Sequence, residues 1–181
     1  MSDGGPNVPV SKSPLWRFSV KFYAVPSVAQ ACIELQDRAK VDVNILFFLL
    51  WNATQGRRYS KADVAEVERR IGAWRDMAVV PIRMVRRALK APPAAISADA
   101  AEGFRTRIKA VELEAERLQQ EALFELAQSS RLGQPATSPA QAARVSIDCY
   151  QALMGPFPAG PLDAVLSAFA NFKTPATDSG G

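Results

Sequence analysis

Histidine is absent from the 181 residues, and that absence excludes a large share of enzyme chemistry. Histidine is the usual general base, proton shuttle and metal ligand at neutral pH, so Ser-His-Asp and Cys-His mechanisms and His-ligated zinc sites are ruled out. Cysteine is nearly absent as well. Cys32 and Cys149 lie far apart and without the C-x-x-C spacing of a zinc or dithiol site, which leaves a buried, reduced pair as the expectation. The longest apolar run, Ile45 to Trp51, has seven residues, against about 20 needed to span a bilayer. No DDxxD repeat and no glycine-rich phosphate loop occurs, and no cofactor is expected. Met1 to Pro14 lacks the basic start and apolar centre of a secretory signal. A cytoplasmic location is the expectation from that reading.

What is present suits a compact globular chain: 48% hydrophobic and 22% charged residues, with a mean hydropathy of −0.05. A chain of this length buries about 70% of its unfolded surface and needs no disulfide or metal to hold its core. Thirteen prolines mark the joints, because proline breaks helix interiors but is accepted in first turns and loops. Residues 1–13 and 174–181 are poor in apolar side chains and are expected to be a disordered leader and tail. Between them, residues 14–173 lack any strand of clear period two and any solenoid-length repeat, while apolar residues recur at spacings of three and four. The expected fold is all-α.

The spacing predicts a short helix from Pro14 to Ala24 capped by Ser13, and a second from Ser27 to Ala39 opened by the Ser27/Gln30 pair. Asp42 caps a third, Val43 to Gln55, which is apolar on all sides and so belongs at the centre of the bundle. Ser60 and Asp63 open a fourth with the stripe Val64, Val67, Ile71, Trp74 and Ala78; Pro81 predicts a kink or break before Ile82 to Lys90. Asp99 with Glu102 opens a long helix with the stripe Phe104, Ile108, Val111, Ala115, Leu118, Ala122 and Leu126. Helices from Ser138-Pro139 to Met154 and from Leu162 to Phe172 complete a single bundle of about six to seven helices with one long helical hairpin.

Several short motifs carry a resemblance. Trp16-x-Phe18-Ser19, Tyr23, Pro26-x-Val28, Ala31-Cys32, Leu35-Gln36-Asp37-Arg38 and Asp42-Val43-Asn44-x-Leu46-x-Phe48-x-x-Trp51 resemble the N-terminal signature of a family of small uncharacterised proteobacterial proteins, a domain of unknown function. The resemblance covers about residues 14 to 90. It implies a bacterial, intracellular helical domain and brings no activity, cofactor or catalytic residue with it.

Two constellations are candidates for function. Gln36, Asp37, Arg38, Asp42 and Asn44 form a polar cluster directly before the most apolar helix. Carboxylates in such a place can hold Mg²⁺ or tune a proton transfer, and the same residue types also serve as helix caps and ends. The second is basic. From Arg57 to Lys90 ten basic residues stand against four acidic ones, while Glu112 to Glu125 carries five acidic residues and only Arg117. A hairpin about Pro92-Pro93 would match much of this charge. It would leave Arg83, Arg86, Arg87, Lys90, Arg105, Arg107 and Lys109 as an anion-binding surface at the hairpin end. Nucleic-acid phosphates, an anionic membrane surface or an acidic protein are the partner classes such a surface can meet. No aromatic residue is interleaved with these arginines, which disfavours sequence-specific nucleic-acid recognition.

The functional expectation is therefore a non-catalytic binding or assembly module with a basic anion- or partner-binding surface. Its alternative is a small histidine-free enzyme or carrier acting on a phosphorylated or lipid-like ligand. No catalytic or metal-ligating residue stands out, and the oligomeric state is open.

Overall fold

The computed structural model describes residues 13–172; the expected disordered leader and tail lie almost wholly outside that range. Eight α-helices follow in order: α1 (Pro14–Tyr23), α2 (Pro26–Ala39), α3 (Val43–Thr54), α4 (Lys61–Trp74), α5 (Val80–Ala88), α6 (Ala98–Ser129), α7 (Pro139–Met154) and α8 (Ala159–Asn171). A π turn, Arg75–Val79, joins α4 to α5 without a break, so the described residues contain seven continuous helical rods. Two-residue strands, β1 (Arg57–Arg58) and β2 (Gln134–Pro135), pair antiparallel beside the bundle. Among the described residues no helix is long and apolar enough to cross a membrane.

The all-apolar segment sits where its composition requires. In α3 every residue from Asn44 to Ala53 is buried, and α1, α6 and α7 pack around it. Asp42 starts this helix by accepting hydrogen bonds from the backbone N–H groups of Asn44 and Ile45. At one end, Phe18, Phe22, Phe47, Phe169 and Phe172 form edge-to-face and stacked pairs that tie α1, α3 and α8 together. Helix α8 lies along α2.

Local signals set most helix starts. Ser13, Ser60 and Ser138 cap α1, α4 and α7, and Ser60 with Asp63 forms a complete capping box. Three starts differ from expectation; α8 begins at Ala159, three residues ahead of Leu162, and the other two change their caps. Helix α2 begins at Pro26 with Val25 before it and no side-chain cap, because proline at the first position needs no N–H partner. Helix α6 is capped by Ser97, which leaves Asp99 in the first turn. Pro81 produces no break: Val80 N–H bonds to the Arg75 carbonyl five residues back. The wider turn precedes the ring that would otherwise press on the helix. Gly133, at φ 79°, lies under the Tyr59 ring, where a Cβ would come within 2.9 Å of Cε2.

The stripe on α6 is the main departure. Phe104, Val111 and Leu118 are 43%, 52% and 42% exposed, whereas the buried face is made of Ala101, Glu112, Ala115, Gln119, Gln120, Leu123, Leu126 and Ala127. Three polar side chains thus replace three apolar ones on the inner face. The reason is that α3 and α5 present partners that satisfy them.

Candidate functional site

The burial of Glu112, Gln119 and Gln120 is explained by two polar assemblies. The first is a chain of amides. Asp42, at the N-terminus of α3, accepts from Gln119 Nε2 at 2.7 Å; Gln119 Oε1 accepts from Asn44 Nδ2 at 2.9 Å; Asn44 Oδ1 accepts from Gln120 Nε2 at 2.7 Å. The direction follows from its origin, since the Asn44 and Ile45 N–H groups and Arg75 all present donors to the Asp42 carboxyl and leave its oxygens accepting. Gln119 must offer its NH₂ to Asp42, and each following amide is oriented in turn. On the other side of Asp42 stand Arg75, at 3.6 Å, and the Tyr150 hydroxyl, which accepts from Asp42 N–H and donates to Glu68. Arg75 also pairs with Glu68 at 2.7 Å. Burial raises the Asp42 pKa above the usual carboxylate value, against the opposing pull of Gln119 and Arg75.

The second assembly joins α5 to α6. Arg83 bonds to Glu112 at 2.9 Å and to Glu116 at 2.6 Å, and Arg86 bonds to Glu112. Burial pushes the Glu112 carboxyl up, but the two guanidiniums together outweigh it and hold the pKa below the ordinary value. For Glu116 burial prevails and the pKa is raised despite Arg83. These contacts engage four of the seven residues of the expected basic surface. Arg83 and Arg86 neutralise buried Glu112 and half-buried Glu116, Arg87 pairs with Asp37 at 2.7 Å, Arg105 pairs with Glu102, and Arg107 lies over the Phe104 ring. Among the described residues the ion pairs leave Lys90, Lys109 and Arg107 without a carboxylate partner, and of these the two lysines alone line the cleft described below.

The expected polar cluster divides in the same way. Asp42 and Asn44 are buried in the amide chain, while Asp37 and Arg38 are exposed and Gln36 half-buried at the end of α2. Arg38 is 4.0 Å from Glu34. Asp37 and Asp42 therefore do not form the acid pair that Mg²⁺-dependent chemistry would need there. Among the described residues no group of three His, Cys, Asp or Glu is placed to hold a metal.

Between α1, α2, α3 and the α5/α6 hairpin lies a cleft of about 860 Å³. Trp16, Val20, Tyr23, Ile33, Val43 and Phe47 supply its apolar wall, with the Cys32 thiol among them. Burial pushes the Cys32 pKa to about 12, which keeps the thiol protonated and unreactive at neutral pH. Arg87, Lys90 and Lys109 stand at the exposed rim, and Asn44, Glu112, Glu116 and Gln120 reach the interior. Two residues of this lining, 3% and 4% exposed, each hold a buried polar atom without a partner, Ser19 Oγ and Gln120 Oε1.

The cleft thus gathers Gln36, Asp37, Asn44, Arg83, Arg86, Arg87, Lys90 and Lys109 from both candidate sets and leaves Arg38, Asp42, Arg105 and Arg107 outside its lining. Ser19, Glu112, Glu116 and Gln120 join this lining from outside both candidate sets. For three of them a signal exists, because 112, 116 and 120 recur every four residues and so share one face of α6. Residues 14–123, more than half of the chain, match the family model described as "Protein of unknown function (DUF2390)". No curated protein and no solved structure matches.

Proposed function

The chain belongs to this DUF2390 family, and from its geometry we propose that it is a binding protein whose cleft receives a small amphipathic anion. The observation that carries this reading is the pairing of an apolar wall with two carboxylate-free lysines at one rim, Lys90 and Lys109. An apolar body would displace water from Trp16, Tyr23, Ile33 and Phe47. A carboxylate or phosphate head would meet the lysines, with Arg87 as a third cation once it releases Asp37. Other arginines of the lining are held by Glu112 and Glu116 and give the wall rigidity rather than free charge.

Isothermal titration with dodecanoate and with dodecyl phosphate tests the reading. The expected result is saturable binding at one site per chain, weakened at least tenfold by the double reversal Lys90→Glu/Lys109→Glu with the helical circular dichroism unchanged. Absence of saturable binding for both probes, or an affinity indifferent to the double reversal, would overturn it.

A further inference from the structure

The lysine rim accounts for one end of a ligand; the opposite, buried end of the cleft carries a different signal. Gln120 Oε1 is the terminus of the amide chain that begins at Asp42, and it is an acceptor without a donor. Every upstream amide in that chain donates toward the carboxylate. Polarisation accumulates along such a series and makes its last oxygen a stronger acceptor than an isolated amide. A buried acceptor left unpaired is costly, and so is the unpartnered hydroxyl of Ser19 on α1, which packs against α6. Both residues belong to the cleft lining.

Resting on the amphipathic-anion reading, we infer that the buried end selects ligands whose far end carries a hydrogen-bond donor, a terminal hydroxyl or N–H, received by Gln120 Oε1. Ser19 can donate to the same terminal oxygen. The separation follows from α6 itself. Lys109 and Gln120 are eleven residues apart on one helix, or about 16 Å along its axis at 1.5 Å per residue, a span roughly that of an extended dodecyl chain. The ligand class is thus a long-chain anion functionalised at the end opposite its charge.

The orientation of the amide chain is reversible by one substitution. Replacing the acceptor-only carboxylate by an amide, Asp42→Asn, lets position 42 donate. Gln119, Asn44 and Gln120 can then all turn over with every internal bond kept, which presents Gln120 Nε2 to the cleft instead of Oε1. Titration of the full chain with 12-hydroxydodecanoate, 12-methoxydodecanoate and dodecanoate reads this directly. The wild type is expected to bind the hydroxy acid about tenfold more tightly than the other two. In Asp42→Asn the preference over the methoxy acid, which can only accept, should fall to near unity. Gln120→Leu, which leaves Asp42 and its Arg75 contact in place, should lose the hydroxyl preference while retaining affinity for dodecanoate. Equal binding of all three acids by the wild type, or a preference that survives Gln120→Leu, overturns the donor-reading end and leaves the amphipathic-anion reading standing. Failure of all three acids to bind overturns both.

Discussion

Glu112 is nine-tenths or more buried and shared by two arginines, so its ionisation is coupled to the fold. Its folded pKa lies below the ordinary 4.5, which means that the unfolded chain binds the proton more readily. The stabilisation is fully present above about pH 4.5 and is lost as the pH falls through the folded value. Glu116 and Asp42, with raised pKa values, act in the opposite sense: each favours the folded state most when protonated and loses that contribution as the pH rises through its folded value. The Glu112 effect is isolated by comparing melting temperatures of wild type and Glu112→Gln at pH 7 and pH 3.5. Glu112→Gln should be destabilised by about 3 kcal/mol at pH 7, where it leaves two guanidiniums underpaired, and the gap should narrow at pH 3.5. A gap that stays constant would detach Glu112 ionisation from stability. The sequence announced the acidic run opposite the arginines; it could not reveal which glutamate turns inward, because Glu112 and Glu114 differ only in azimuth on α6.

At the scale of the helices, boundaries written in serine and proline chemistry were legible and faces were less so. The Ser60/Asp63 box is local: both partners lie within one turn, and the hydrogen bonds need no other part of the fold. Ser60→Ala should therefore cost about 1 kcal/mol, read as a shift in the urea midpoint with an unchanged m-value; no shift would make the box ornamental. The inner face of α6 depends instead on what α3 and α5 offer from a distance in sequence. Periodicity alone assigned the core to Phe104, Val111 and Leu118, and long-range pairing with Asp42, Asn44, Arg83 and Arg86 gave it to Glu112, Gln119 and Gln120. Ser97 rather than Asp99 caps this helix for a similar reason of competition, since both types are good caps and the preceding turn decides between them.

For the whole molecule, the matched family region ends at residue 123, but the core does not. Leu126, Ala142, Ile147, Tyr150, Phe157, Leu162, Val165 and Phe169 belong to the same buried cluster as α3, and α7 and α8 pack on α3, α4 and α2. A chain cut after residue 123 should expose that surface and show no cooperative thermal transition; a sharp transition would place the folding unit within residues 14–123. The all-α architecture and the central position of α3 were readable from composition and proline spacing. The cleft was not, because its walls come from five helices and its orphaned atoms are defined by a lack of neighbours, which no sequence pattern encodes. The π turn Arg75–Val79 has one more consequence. An α-helix advances about 100° per residue, so the extra residue held in the wide turn acts as a phase setter between α4 and α5. Deleting one residue there would rotate Arg83 and Arg86 by about that angle away from Glu112 and Glu116. The distance from Lys90 to the bundle would change little, but the compass bearing of an entire cleft wall would be lost.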